Sequence, residues 1–116
     1  MKILANNKKA LFNYEVLKKY QAGIVLEGWE VKSIKKGHAS LKESYVKIIE
    51  DEAYIEGMHV AFWQGAGELK EGMTDKPRKL LLHKQEITQL SSGVKVKGQT
   101  IVPLNLFLDK NKIKLE

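Results

Sequence analysis

Apolar and polar residues alternate along much of this chain, and a period of two is the mark of half-buried strands. From Tyr14 to Leu26, YEVLKKYQAGIVL sets Tyr14, Val16, Lys18 and Tyr20 on one face and Leu17 among those on the other. The Ala22-Gly23 pair inside this run predicts a bulge, where a strand bends as a barrel requires. SYVKIIEDEAYIEGM reads as a hairpin, with Val46 and Ile48 on one face, a turn at Glu50-Asp51-Glu52 and Tyr54 on the return. Near the end, TIVPLNLFL lines up Val102, Leu104, Leu106 and Leu108. A turn at Asp109-Lys110-Asn111 then leads to KIKLE, where Ile113 and Leu115 alternate with charges.

Helical spacing occurs in two places. Glu30 to Lys36 sets Val31 and Ile34 on one side, with Gly37 as the C-terminal cap. Over Lys79 to Leu90, Leu80, Ile87 and Leu90 fall into one stripe at about 100° per residue. Leu81 and Leu82 point away from that stripe. Either the helix starts later and both leucines pack from an extended lead-in, or an exposed leucine stands on a basic surface beside Arg78, Lys79 and Lys84. Between Met58 and Lys76 the pattern gives a short helix and then a loop with Gly65, Gly67 and Gly72. There is no internal repeat or Pro/Gly-rich linker, so residues 1–116 form a single domain. Short, mostly antiparallel strands with a few short helices predict a mainly β, closed or partly open barrel of the OB type.

Charge narrows the function. Twenty Lys and Arg against fourteen Asp and Glu leave a net charge of +6, which attracts polyanions. Nineteen of those cations are lysines and Arg78 is the only arginine. Lysine meets phosphate as a mobile point charge, whereas the arginine fork suits base edges. This balance favours RNA backbone and shape over the sequence of duplex DNA. Cysteine is absent, which removes disulfides and thiolate metal sites. The start, MKILANNKKALF, has three consecutive apolar residues, against about 7–15 for a secretory signal and about 20 for a membrane span. A cytoplasmic protein without a membrane partner is expected.

Catalytic patterns are weak. His38, His59 and His83 are scattered without HExxH spacing, and GAGELKEG lacks the lysine-serine ending of a phosphate loop. Binding is better supported. Asn6-Asn7-Lys8-Lys9 followed by Phe12 and Tyr14 interleaves amides and cations with rings; cations take phosphates, amides take sugar or base edges, and an exposed Phe12 can stack. Tyr14, Trp29 and Trp63 are expected in the core. A second basic group, Lys76-Pro77-Arg78-Lys79, precedes the last helix.

Two blocks then identify a resemblance. AGIVLEGWEVKSIKKGHASLKESYV, residues 22–46, and DKPRKLLLHKQEITQL, residues 75–90, resemble the paired hallmarks of the small protein B family, in order and at the right separation. GQTIVPLNLFLDKNKIKLE is similar to that family's closing strands. The resemblance implies a six-stranded antiparallel OB-type barrel with about three helices. It also implies binding to the tRNA-like domain of transfer-messenger RNA (tmRNA), at its elbow and D-loop, and action on stalled ribosomes in trans-translation. No cofactor, no metal and no catalytic activity are implied; the alternative is a general OB-like module for single-stranded RNA or ribosomal surfaces.

By the same resemblance, Asn7, with Lys8 and Lys9 after it, matches the family's amino-terminal RNA-binding segment. Leu81 in the leucine triplet matches an RNA-contacting leucine, and His83 stands where the family has histidine or asparagine. Arg78 and Lys79 add basic surface. Phe12 replaces a frequent histidine, keeping the ring but losing its hydrogen bond, and Gln21 replaces a frequent glutamate with an amide that both donates and accepts. The family's glycine-lysine-rich segment and basic tail do not follow KIKLE, so RNA binding without full rescue activity is expected.

Overall fold

Two tight hairpins organise the β structure. In the computed structural model, which describes residues 2–62 and 72–116, strand β4 (Tyr45–Ile49) turns into β5 (Glu52–Glu56) through Glu50 and Asp51, at φ 50° and 64°. Strand β8 (Asn105–Asp109) turns into β9 (Lys112–Leu115) through Lys110 and Asn111, at φ 48° and 66°. Positive φ at both loop residues is the condition for a type I′ turn, whose twist matches that of its strands. Both hairpins lie where alternation and turn residues predict them.

The other strands are β1 (Lys2–Asn6), β2 (Ala22–Ile24), β3 (Ala39–Ser40), β6 (His59–Val60) and β7 (Arg78–Leu81). The sheet runs β1-β8-β9-β2-β7-β5-β4, with every pairing antiparallel, and β3 pairs β6 separately. This corrects the expected closed six-stranded barrel: the sheet is open and seven-stranded. Closure requires the outer strands to pair with each other, but here β1 pairs β8 and β4 pairs β5. Among the described residues the helices are α1 (Lys8–Asn13), α2 (Gly28–Lys35) and α3 (Lys84–Lys97).

The core lies on one side of this sheet. Ala53 and Ile55 of β5, Leu80 of β7, Leu106 of β8, and Ile113 and Leu115 of β9 pack with Trp29 and Ile34 of α2. Trp29 is an anchor, as expected: its ring meets Phe62 edge-on at 5.6 Å and its indole N–H donates to Glu27 at 2.7 Å. Trp63 lies outside the described residues, as does most of the GAGELKEG loop.

Helix α2 is closed at both ends by local chemistry. Glu30 accepts the backbone N–H of Glu27 at 2.9 Å, one arm of a capping box. At the other end Gly37, at φ 82°, donates to Ile34 and His38 donates to Ser33, both at 2.9 Å. That pair of bonds is a Schellman motif, and the left-handed position favours glycine because it has no Cβ.

Three expectations fail locally. The strand foreseen from Tyr14 survives only as Ala22–Ile24, and Tyr14 is exposed rather than in the core. No bulge occurs at Ala22-Gly23; the irregular register lies in β1, between Ile3 and Ala5. The last helix begins at Lys84 rather than Lys79 and continues past Leu90 to Lys97, while its expected first turn is strand β7.

Candidate nucleic-acid interface

Strand β7 explains the off-stripe leucine. With side chains alternating across the sheet, Arg78 and Leu80 point inward and are 2% and 3% exposed, while Leu81 points outward and is 55% exposed. Leu82, just past the strand, packs against the core. Gly23 of β2 sits opposite Leu81, and a Cβ on Gly23 would lie only 3.2 Å from the Leu81 Cβ. A side chain here would crowd Leu81, which would have to shift by a few tenths of an ångström. Exposed Val25 follows two residues after Gly23, its N–H bonded to the Lys79 carbonyl at 2.9 Å.

Around Leu81 the predicted residues take different roles. Gln21 is exposed immediately before β2. His83 is exposed at the start of α3, where its backbone N–H donates to Glu86 at 2.9 Å. Lys79 shares the outward face and its Nζ is 3.2 Å from Glu52 Oε1. The Glu52 carboxyl also accepts the Tyr54 hydroxyl at 2.6 Å. Its pKa is held below the ordinary 4.5, first by the Tyr54 bond and then by Lys79.

Arg78 is buried and does not belong to the basic surface where the sequence places it. Its guanidinium is buried and bonds the Glu30 carboxylate, while its remaining donors reach the carbonyls of Met58 at 2.7 Å, Lys76 at 3.2 Å and Thr74 at 2.9 Å. Burial and pairing remove the lone arginine from the basic surface and make it a brace between α2, β7 and the segments on either side of the undescribed residues. Lys76 flanks the pair, 3.0 Å from Glu27 and 3.8 Å from Glu30. Lys76 and Trp29 together hold the Glu27 carboxyl below its ordinary 4.5, the Lys76 hydrogen bond being the larger cause.

The second predicted group gathers at the β1–α1 junction. Asn7 caps α1: its Oδ1 accepts from Ala10 at 3.3 Å and its Nδ2 donates to Pro103 at 2.9 Å. Both ends of that amide are engaged within the chain, so Asn7 positions the segment that follows it. Lys8 and Lys9 are exposed, and Phe12 is 91% exposed. In the sheet order, β8, β9 and β2 lie between β1 and β7, so the two predicted groups are separate patches.

Sequence reasoning missed a third feature. Residues 14–20 run alongside α3, where Gln89 accepts from both Lys18 and Tyr20 at 3.0 Å. An apolar groove of about 400 Å³ lies there, lined by Val16, Leu17, Leu82, Leu90 and Val94 among others. Helical spacing at Leu90 and Val94 was the available signal. Among the described residues no group of three or more His, Asp or Glu could hold a metal, and no helix is long and apolar enough to cross a membrane.

Comparison with known proteins agrees with this fold. The family model described as "SmpB protein" matches residues 4–116. The chain is 50% identical over 114 residues to an SsrA-binding protein of Fusobacterium nucleatum, covering 98% of this chain and 76% of that one. It is 46% identical over 117 residues to an SsrA-binding protein of a Nitratiruptor species, covering 100% and 78%. A solved structure described as "tmRNA-SmpB: a journey to the center of the bacterial ribosome" is 34% identical, with a TM-score of 0.76 over 99% of this chain and 80% of that one.

Proposed function

The chain belongs to the SmpB family, and from that premise we propose that it binds the tRNA-like domain of tmRNA and supports its delivery to stalled ribosomes in the cytoplasm. It works by binding and carries out no catalysis. The observation that carries this reading is Leu81, a large apolar side chain held outward on a strand with Lys79 on the same face. An exposed leucine beside cations can pack on a splayed base while lysines meet the backbone, which is how structured RNA is recognised outside its deep major groove. Gln21 and His83 extend that surface, and Lys8, Lys9 and Phe12 supply a second one. Contact at the elbow and D-loop fits a rigid protein with two separated patches better than a single linear track.

Competition binding tests the proposal. A labelled tRNA-like domain is displaced by unlabelled tRNA-like domain or by single-stranded RNA of equal length. Preference for the folded RNA is expected; equal displacement would favour a general single-strand binder. A measurable turnover abolished by His83→Ala would overturn the assignment as a binding protein.

A further inference from the structure

A small cleft lies between the β1–α1 junction and the loop after β3. Its volume is about 270 Å³, and its lining includes Asn6, Lys8 and Lys9 from one side and Ser40, Leu41 and Lys42 from the other. Three of the lining residues are lysines and none is acidic. Glu43, the next residue along, is exposed at φ 62° and does not line the cleft.

Two features make this more than a solvated lysine cluster. Lys76, Lys79 and Lys114 are paired to carboxylates, whereas Lys8, Lys9 and Lys42 form no ion pair among the described residues. Their charge is available to an external anion. Both walls are also fixed: Asn7 is bonded at both ends of its amide, and Leu41, 1% exposed, roots the opposite loop in the core. The Ser40 hydroxyl oxygen accepts the Lys42 N–H at 3.2 Å, which leaves its own proton to donate.

We propose that this cleft grips the sugar-phosphate backbone of bound RNA, with Lys42 and Ser40 closing on a phosphate adjacent to those that Lys8 and Lys9 meet from the other side. This rests on the RNA-binding function above and adds residues outside the two sequence-predicted patches. The cleft lies just under the ~300 Å³ lower end of small-molecule pockets, and its lining of three lysines without a carboxylate or an aromatic ring suits a phosphate-bearing backbone segment better than a stacked base.

The test is a salt titration of binding to the tRNA-like domain by the full chain and its Lys42→Ala, Lys8→Ala/Lys9→Ala and combined variants. Each phosphate contact contributes roughly 0.7–0.9 to the slope of log K against log salt. Lys42→Ala should flatten the slope by about that amount, and Ser40→Ala should weaken binding several-fold. The combined variant should flatten the slope by about the sum of its parts, because each lysine holds its own phosphate. Normal binding with an unchanged slope in Lys42→Ala overturns the cleft and leaves the RNA-binding function standing; no RNA binding by the unaltered chain overturns both. Inorganic phosphate at matched ionic strength is the second arm. Competition at micromolar phosphate would make this a small-anion site and overturn the RNA-backbone assignment.

Discussion

Neighbouring positions on β7 separate folding from binding one residue at a time. Leu80 is 3% exposed and Leu81 is 55% exposed. Leu80→Ala opens a cavity in a packed core and should cost about 2–5 kcal/mol. Leu81→Ala removes little that the fold uses, so stability should change by less than about 0.5 kcal/mol. Covering the exposed half of this leucine against a base is worth about 1 kcal/mol, or roughly a fivefold change in Kd. Urea unfolding and gel-shift binding on the two variants check both values; a Leu81→Ala chain that binds normally would remove Leu81 from the interface. Arg78 behaves like Leu80. Arg78→Met strands the buried Glu30 carboxylate and three carbonyls, with an expected loss of about 3–5 kcal/mol, read from urea midpoints. Sequence could not place Arg78, because a lone arginine among lysines looks like surface until the carboxylate that buries it, 48 residues away, is known.

At the scale of elements, what could be read in advance depended on whether the partners were local. Both hairpins and α2 carry their own instructions: alternation, left-handed turn residues, a capping glutamate and Gly37. Strand β7 could not be recognised that way. Its partners are β2 and β5, distant in sequence, and the coincidence of Leu80, Ile87 and Leu90 mimicked a helical stripe. Residues 14–20 alternate as well as any strand but find no ladder, and alternation alone does not supply one. The outer face of β5 and β7 is tied by the Glu52–Tyr54–Lys79 cluster, and the start of α2 is tied to the lead-in of β7 through Glu27 and Lys76. Both carboxyls have folded pKa values below the ordinary 4.5. In that window the unfolded chain binds more protons, so stability rises with pH. The contribution is present above about 4.5 and is lost as pH falls through the lower folded values. Thermal melts from pH 6 to pH 3 should therefore fall less steeply for Glu27→Gln/Glu52→Gln than for the unaltered chain. Parallel curves would mean that these two exposed clusters carry no net stability.

For the whole molecule, net charge predicts that RNA is attracted but not which lysines hold it. The family resemblance and the basic pattern brought Lys8, Lys9 and Lys79 forward together, yet the structure separates them. Lys8 and Lys9 carry free charge, whereas Lys79 begins paired to Glu52 at 3.2 Å. Solvent screens an exposed pair of this kind strongly, so an RNA phosphate can displace the carboxylate, but the exchange uses up part of what the phosphate contact gains. Lys8→Ala/Lys9→Ala should flatten the log K against log salt plot by about 1.4–1.8, the sum for two phosphates. Lys79→Ala should flatten it by less than one contact's share. Glu52→Gln then offers the opposite sign: with its carboxylate neutralised, Lys79 meets RNA without first leaving a partner, and affinity should rise by up to about fivefold at low salt. The rise should shrink as added salt screens Lys79 and Glu52 from each other and from the RNA. If Glu52→Gln leaves affinity unchanged at every salt concentration while Lys79→Ala weakens it, Lys79 supports the strand face without touching phosphate.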